Sequence, residues 1–178
     1  MRRPLSFLLI FAAAYILLNL LYQALLYFYS PLPDLFTVAV TKITLMLLPN
    51  LSYHTIADAP GLQIRDSAHA IVNIKEGCNG IAVWISLLSF IVAFKSNKLK
   101  AYLIFIPLSF VCIQICNVLR LFILIRIKIF HPEYFDFFHT YAFPAIIYFF
   151  AFLLMVVWVK MSVRADMSVR AESRTRTP

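Results

Sequence analysis

The sequence predicts an all-α membrane protein: a compact multi-span bundle of about four transmembrane helices plus a short interfacial or partial helix, with a small extracytoplasmic strand-and-loop segment. Three observations predict it. Of the 178 residues, 62% are hydrophobic and 13% charged, and the mean hydropathy is +0.85, whereas a soluble domain carries roughly 25% charge. Several apolar runs approach the roughly 20 residues that cross a hydrocarbon layer. The polar residues collect between those runs. Soluble enzyme folds are therefore excluded. So is a disulfide-stapled scaffold, because three cysteines cannot all pair internally and no CxxC occurs among them.

The first apolar run, Leu5 to about Tyr29, follows Met1-Arg2-Arg3 and is interrupted only by Asn19 and Gln23. It is too long for the roughly 7–15-residue core of a signal peptide and reads as an uncleaved anchor. Residues 35–48 lie between Pro33 and Pro49 and carry Lys42. At 1.5 Å per residue they reach about 21 Å, short of the roughly 30 Å layer, so they are expected at the interface or buried against other helices. Between Asn50 and Glu76 the chain turns polar, with a Pro60-Gly61 turn and weak alternation around Ile64 and Ile71, a pattern that suits short strands. Residues 80–94, 101 to about 125, and 141–159 supply the remaining spans, and Gln114, Asn117 and Arg120 interrupt the middle one. Residues 1–160 thus form one integral membrane domain. Residues 161–178 contain the tandem hexads Met161–Asp166 and Met167–Glu172 and are expected to form a basic tail without fixed structure.

Charge fixes the expected direction, because short loops rich in Lys and Arg stay in the cytoplasm. With four spans, both termini and the loop at 95–100 share one side, which holds ten of the 16 basic residues and only Asp166 and Glu172 as acids. The other six bases and six acids cancel. The formal +8 therefore lies on the cytoplasmic face. Topology accounts for the basic balance, and no nucleic-acid partner is implied. The expected location is the bacterial cytoplasmic membrane, in contact with its lipids.

This direction gathers three residues of catalytic type at the outer side. Cys78 opens the second span, in Glu76-Gly77-Cys78-Asn79-Gly80. Arg120 lies near the outer end of the third, and His139 opens the fourth. A helix N-terminus favours a thiolate, a histidine can take the thiol proton, and an arginine can hold developing negative charge. Gly77 and Gly80 would let backbone N–H groups approach a carbonyl. Singly, each residue has an ordinary reading: buried packing for Cys78, snorkelling for Arg120, an aromatic belt for His139. Asn117, one turn before Arg120, either orients the guanidinium or ties helices together. Asp136 reads as a solvated charge. Cys112 and Cys116 read as packing, and His54, His69 and His131 have no spacing that suits zinc. No cofactor or metal is expected.

Taken together, Glu76-Gly77-Cys78-Asn79-Gly80, Asn117-Val118-Leu119-Arg120 and His139 before a last apolar span resemble the signature segments of the exosortase/archaeosortase family. The resemblance covers about half the chain, from near Ile74 to Val159, and is closest to the short exosortase-like members. It implies a membrane cysteine endopeptidase or transpeptidase with Cys78 as nucleophile and Arg120 and His139 as its partners. The implied partner is an exported protein whose C-terminal sorting signal joins a short motif, an apolar helix and a basic cluster. The alternative from a different class is a non-catalytic multi-pass component of an export or surface-assembly system. A thiol oxidoreductase lacks a resolving cysteine on that side.

The charge reading makes a topological prediction. In a background without native cysteines, an impermeant thiol reagent applied to intact cells should label Ser67→Cys and spare Ser96→Cys and Ser168→Cys. Labelling of the position-96 cysteine from outside would overturn the orientation.

Overall fold

The computed structural model describes residues 4–56, 60–96 and 99–175. Of the charges counted above, Arg2, Arg3, Asp58, Lys98 and Arg176 lie outside them. The chain is predominantly helical, with one small antiparallel sheet. Helix α1 (Pro4–Tyr29) has no proline or glycine after its first residue, and its interior amide Asn19 donates to its own backbone, the Tyr15 carbonyl, at 2.8 Å. That bond satisfies the side chain without a partner helix.

Helix α2 (Leu35–Met46) is capped by Asp34, whose side chain accepts the N–H groups of Phe36 and Thr37 at 2.9 and 3.1 Å. Its buried stripe is Thr37, Val40, Thr41 and Thr44, while Leu35, Ile43 and Met46 are exposed. This is the inverse of a soluble amphipathic helix. The threonines tolerate burial because Thr41 and Thr44 each donate to the carbonyl four residues back at 2.8 Å. At 12 residues the helix is too short to cross a membrane, and it packs against α4, one of the two placements expected for residues 35–48.

The sheet has the order β1 (Ser52–Thr55), β2 (Leu62–Arg65), β3 (Ala70–Ile74). Asp66 pins the β2–β3 turn by accepting the N–H groups of His69 and Ala68 at 2.6 and 2.7 Å, and these bonds hold its carboxyl below the usual carboxylate range. Ile64 and Ile74 are buried with Val40 and Leu48 of the α2 region and with Val118, Leu121 and Ile125 of α4. A 3-10 turn (Glu76–Cys78) leads into α3 (Ile81–Ala93), followed by α4 (Leu99–Phe130). A single turn α5 (Phe135–Phe137) and a π-helical stretch (Phe138–Ala142) then run into α6 (Phe143–Thr175).

Among the described residues, three helical segments are long and apolar enough to cross a membrane: Pro4–Tyr29, Leu99–Phe130 and Pro132–Arg164. The fourth expected span is shorter than the sequence suggested. Helix α3 has 13 residues, about 20 Å of rise, because its first turn starts only at Ile81 and Phe94 ends it. The tail also differs from expectation, since α6 continues to Thr175. Its Met, Arg, Ala and Glu residues are strong helix formers that extend a helix already nucleated upstream.

The bundle core lies between α3, α4 and α6, where Leu87, Ile91, Phe105, Ile113, Ile147 and Trp158 interlock. Trp158 is fully buried, donates Nε1–H to the Phe94 carbonyl at 2.9 Å and meets the Tyr102 ring at 4.9 Å. These contacts put Lys95, Lys100 and Lys160 at one end of the bundle, while the sheet packs beside Val118, Leu121 and Ile125 towards the other. Trp158→Ala should therefore lower stability by about 3–5 kcal/mol, measured as unfolding in mixed micelles. Trp158→Phe, which loses only the hydrogen bond and part of the volume, should cost less than half as much.

Candidate active site

The Cys78 turn is built where the sheet hands the chain to α3. Cys78 N–H donates to the Lys75 carbonyl at 2.8 Å, and Asn79 N–H to the Glu76 carbonyl at 3.2 Å. Gly80 then adopts φ +76 and caps α3. A side chain there is disfavoured twice, by the left-handed backbone and by the Asn117 Cγ that a Cβ would meet at 3.3 Å. This close approach lets Asn117 Nδ2 donate to the Cys78 carbonyl at 2.7 Å. The Asn117 amide thus ties α4 to the Cys78 turn, the helix-tying alternative of the two that its position allowed. Gly77 is the opposite case: a Cβ there would have no atom within 4 Å, so the backbone beside Cys78 is open to approach.

Asn79 anchors the turn from behind. It is 1% exposed, and its Oδ1 accepts the Ile81 N–H at 3.0 Å. Its Nδ2 donates to the Tyr22 hydroxyl at 2.6 Å and lies 3.3 Å from Thr37 Oγ1 and 3.4 Å from Asp34 Oδ2. Asp34, fully buried, also accepts from the Thr37 hydroxyl at 2.5 Å. One carboxylate therefore caps α2 and braces the Cys78 turn, while Tyr22 joins α1 to both. Sequence reasoning missed Asp34 and Tyr22. The only local signal was the Asp-x-x-Thr cap at 34–37, and nothing in spacing reveals a partner 45 residues away.

Arg120 follows Asn117 by one helical turn. It lines a cavity of about 160 Å³ with Gly77, Gly80 and Val83 on one side and Pro144 and Ile147 of α6 on the other. Its Nε is buried without a hydrogen-bond partner among the described residues, as is Asn117 Oδ1. Cys78 itself is half-buried, packed at the rim of the cluster containing Ile74, Val118 and Leu121. Glu76 is half-buried, whereas Asp136 on α5 is exposed, as a solvated charge should be.

His139 is placed differently. It sits in the π-helical stretch, stacked on Phe135 with ring centroids 5.5 Å apart and planes 10° from parallel. It lines a second groove, of about 360 Å³, with Gln63, residues 70–73 of β3, Lys128 and Phe135. The two cavities share no lining residue. Pro144, at the level of Arg120, follows His139 on the same helical run by about 7.5 Å of rise. The structure thus brings Arg120 to the Cys78 turn and sets His139 further towards the sheet end. The single depth that the sequence suggested for all three does not hold.

No family of known proteins, no curated protein and no solved structure matches this chain.

The turn geometry yields a stability prediction. Gly80→Ala should destabilise by about 1–2 kcal/mol through the left-handed backbone, and Asn79→Ala by about 1–3 kcal/mol because Asp34 and the Ile81 N–H lose a buried partner. Thermal unfolding in detergent measures both. An unaffected Asn79→Ala would show that the turn does not depend on this network.

Proposed function

We propose that this chain is a membrane-embedded cysteine endopeptidase or transpeptidase that cuts the C-terminal sorting signal of exported proteins at the outer face of the cytoplasmic membrane. The observation that carries the reading is the Arg120 cavity. A guanidinium is always charged, and a buried N–H of a charged group left without an acceptor is costly. Here Arg120, whose buried Nε has no partner among the described residues, lines a small cavity together with the open backbone of Gly77, one residue from a cysteine. Such a cavity suits a carbonyl oxygen that becomes an oxyanion.

In the proposed reaction the Cys78 thiolate attacks the carbonyl carbon of a substrate peptide bond, and the carbonyl electron pair moves to an oxygen held by Arg120. Collapse of this intermediate breaks the C–N bond. The amine leaves with a proton, and a thioester to Cys78 remains. Water or an amine then attacks the thioester and returns the thiol. His139 removes the thiol proton and gives it to the leaving amine, which requires the groove and the Arg120 cavity to come within reach of one another when substrate lies between them. Asn117 and Asn79 hold the turn still throughout.

The same reading sets the depth of the site. Counted from Lys95, α3 rises only about 20 Å before the Cys78 turn, so in a layer of roughly 30 Å the turn lies below the outer boundary. With α3 crossing that inner part, four helices traverse the bundle, both ends of the chain are cytoplasmic and the sheet rests at the outer interface. A scissile bond at the end of an apolar substrate helix would arrive at this level.

Two substitutions test the chemistry. Cys78→Ala should abolish processing of exported proteins and any hydroxylamine-sensitive adduct on the enzyme while the protein still inserts. Arg120→Lys keeps the charge and the reach but loses the planar fork, and should slow processing at least about tenfold, around 1.4 kcal/mol of transition-state stabilisation. Processing retained by Cys78→Ala would remove the enzyme reading. Equal rates for wild type and Arg120→Lys would reduce Arg120 to an interfacial anchor.

A further inference from the structure

We infer that the gap between the start of α3 and α6, at Ala82 and Tyr148, is a lateral entry through which an apolar helix of the polypeptide substrate, held in the membrane, brings its scissile bond to the Arg120 cavity. This inference rests on the reading of Cys78 as the reacting group. Of the residues that line the cavity, Gly80, Val83 and Ile147 are buried, whereas Gly77, Ala82 and Tyr148 are exposed, Tyr148 by 59%. The cavity is closed on its inner side and opens past these three. The hydrogen bond from the Trp158 indole to the Phe94 carbonyl sets α3 and α6 at one level. From that level Tyr148 lies about 15 Å along α6 and Ala82 about 18 Å along α3, at 1.5 Å per residue. On the proposed orientation, with Lys95 and Lys160 at the inner boundary, both stand inside the roughly 30 Å hydrocarbon layer. The opening thus faces lipid, as do Ile146, Phe149 and Phe152, the exposed apolar residues around Tyr148 on α6.

The cavity specifies what enters. Among the described residues Arg120 is the one charged residue that lines it, and its buried Nε has no partner there. An unpartnered N–H of a charged group calls for an acceptor. Acyl chains carry none. A lipid head group stays at the outer boundary, about 12 Å further out than Ala82 in such a layer. A polypeptide does bring acceptors to this depth, because the residues that precede an apolar helix make no helical bonds and their carbonyls need a donor in hydrocarbon. On the α3 side the opening is formed by Gly77 and Ala82, whose small size lets a second helix approach closely. On the α6 side stands Tyr148, with Phe152 one turn below it. A substrate helix laid along Tyr148 and Phe152 begins at the opening, and the peptide just before it reaches the cavity with its carbonyl towards Arg120.

The experiment uses the full-length protein in its native membrane, with the photocrosslinker benzoylphenylalanine in place of Tyr148 and, as control, of Val111, an exposed residue of α4 that does not line the cavity. The partner joined to Cys78 and the partners crosslinked at each position are mapped by mass spectrometry. Lateral entry predicts that the position-148 crosslink falls on the apolar helix of the Cys78 partner, within about two turns of the joined carbonyl, and that position 111 does not capture that helix. Ala82→Trp, which fills the opening, should slow processing at least about tenfold, while Ala82→Ser should process at the wild-type rate. In a Cys112→Ala, Cys116→Ala background, Ala82→Trp should leave labelling of Cys78 by methyl methanethiosulfonate unchanged. A Cys78 adduct with only lipid crosslinked at position 148, or undiminished processing by Ala82→Trp, overturns the lateral entry and leaves the chemistry standing. A crosslink on the apolar helix of an exported protein with no Cys78 adduct supports the entry and removes the chemistry. Absence of both overturns both. Should Ala82→Trp fail to insert or lose the Cys78 labelling, the crosslink decides alone.

Discussion

A small knot of buried hydrogen bonds holds this otherwise apolar protein to a single arrangement. Apolar side chains in lipid have no reason to prefer one another over acyl tails, so helix association there relies on close packing and on polar groups that must find partners. The Asn79 amide faces Tyr22 of α1 and Asp34 and Thr37 of α2, and its own carbonyl oxygen caps the start of α3. Asn117 joins α4 to the same turn through the Cys78 carbonyl. Four helices thus converge on five residues, 76 to 80. Moving any one of them would strand a buried polar group, at a cost comparable to a large part of a domain's stability.

The short α3 follows from the same knot. Because the turn must reach Asn117 while Gly80 packs on its side chain, α3 begins at the level of the middle of α4 and not at its end. Helix α4 continues past that level, whereas α6 starts close to it, and α5, the π-helical stretch and the sheet occupy the space beyond. The bundle is therefore open around the Cys78 turn in a way that four full-length spans would not be. That opening accommodates the Arg120 cavity, whose walls come from α3, α4 and α6.

What the sequence made legible was whatever depends on composition along one element. Runs of apolar residues identified α1, α4 and α6, and the shortness of residues 35–48 identified a helix that packs without crossing. The Pro60-Gly61 turn and weak alternation located β2 and β3, whereas β1 carried no such signal. The sequence did not disclose Asp34 as a brace, because its role needs Asn79 from another part of the chain, nor the inverted face of α2, because threonines that bond their own helix look like ordinary polar residues. The tail was misjudged since charge content argued for disorder while its helix propensity, added to a preceding span, argued the other way. Arg120 lines a cavity with Gly77 and Gly80, the glycines that flank Cys78 in the turn. His139 did not join them there, because depth counted at 1.5 Å per residue ignores that α3 starts late and that a π-helical stretch carries His139 towards the sheet end.

On the proposed reading, the separation of Arg120 from His139 has a chemical consequence. A cavity of about 160 Å³ walled by Val83, Pro144 and Ile147 has room for only a few waters at about 30 Å³ each. There, a charge on oxygen is poorly screened, and the Arg120 guanidinium acts more strongly than it would in water. The groove that holds His139 and Lys128 is polar and lies at the sheet end. Attack and charge stabilisation then take place in the smaller, more apolar compartment, while proton exchange and arrival of the second nucleophile use the larger, more polar one. A thioester formed between the two is shielded from bulk water on the Arg120 side, so whether water or an amine resolves it depends on which reaches it along the groove. On this reading, the acceptor's access, more than the reactivity of Cys78, is the step at which hydrolysis and transfer diverge.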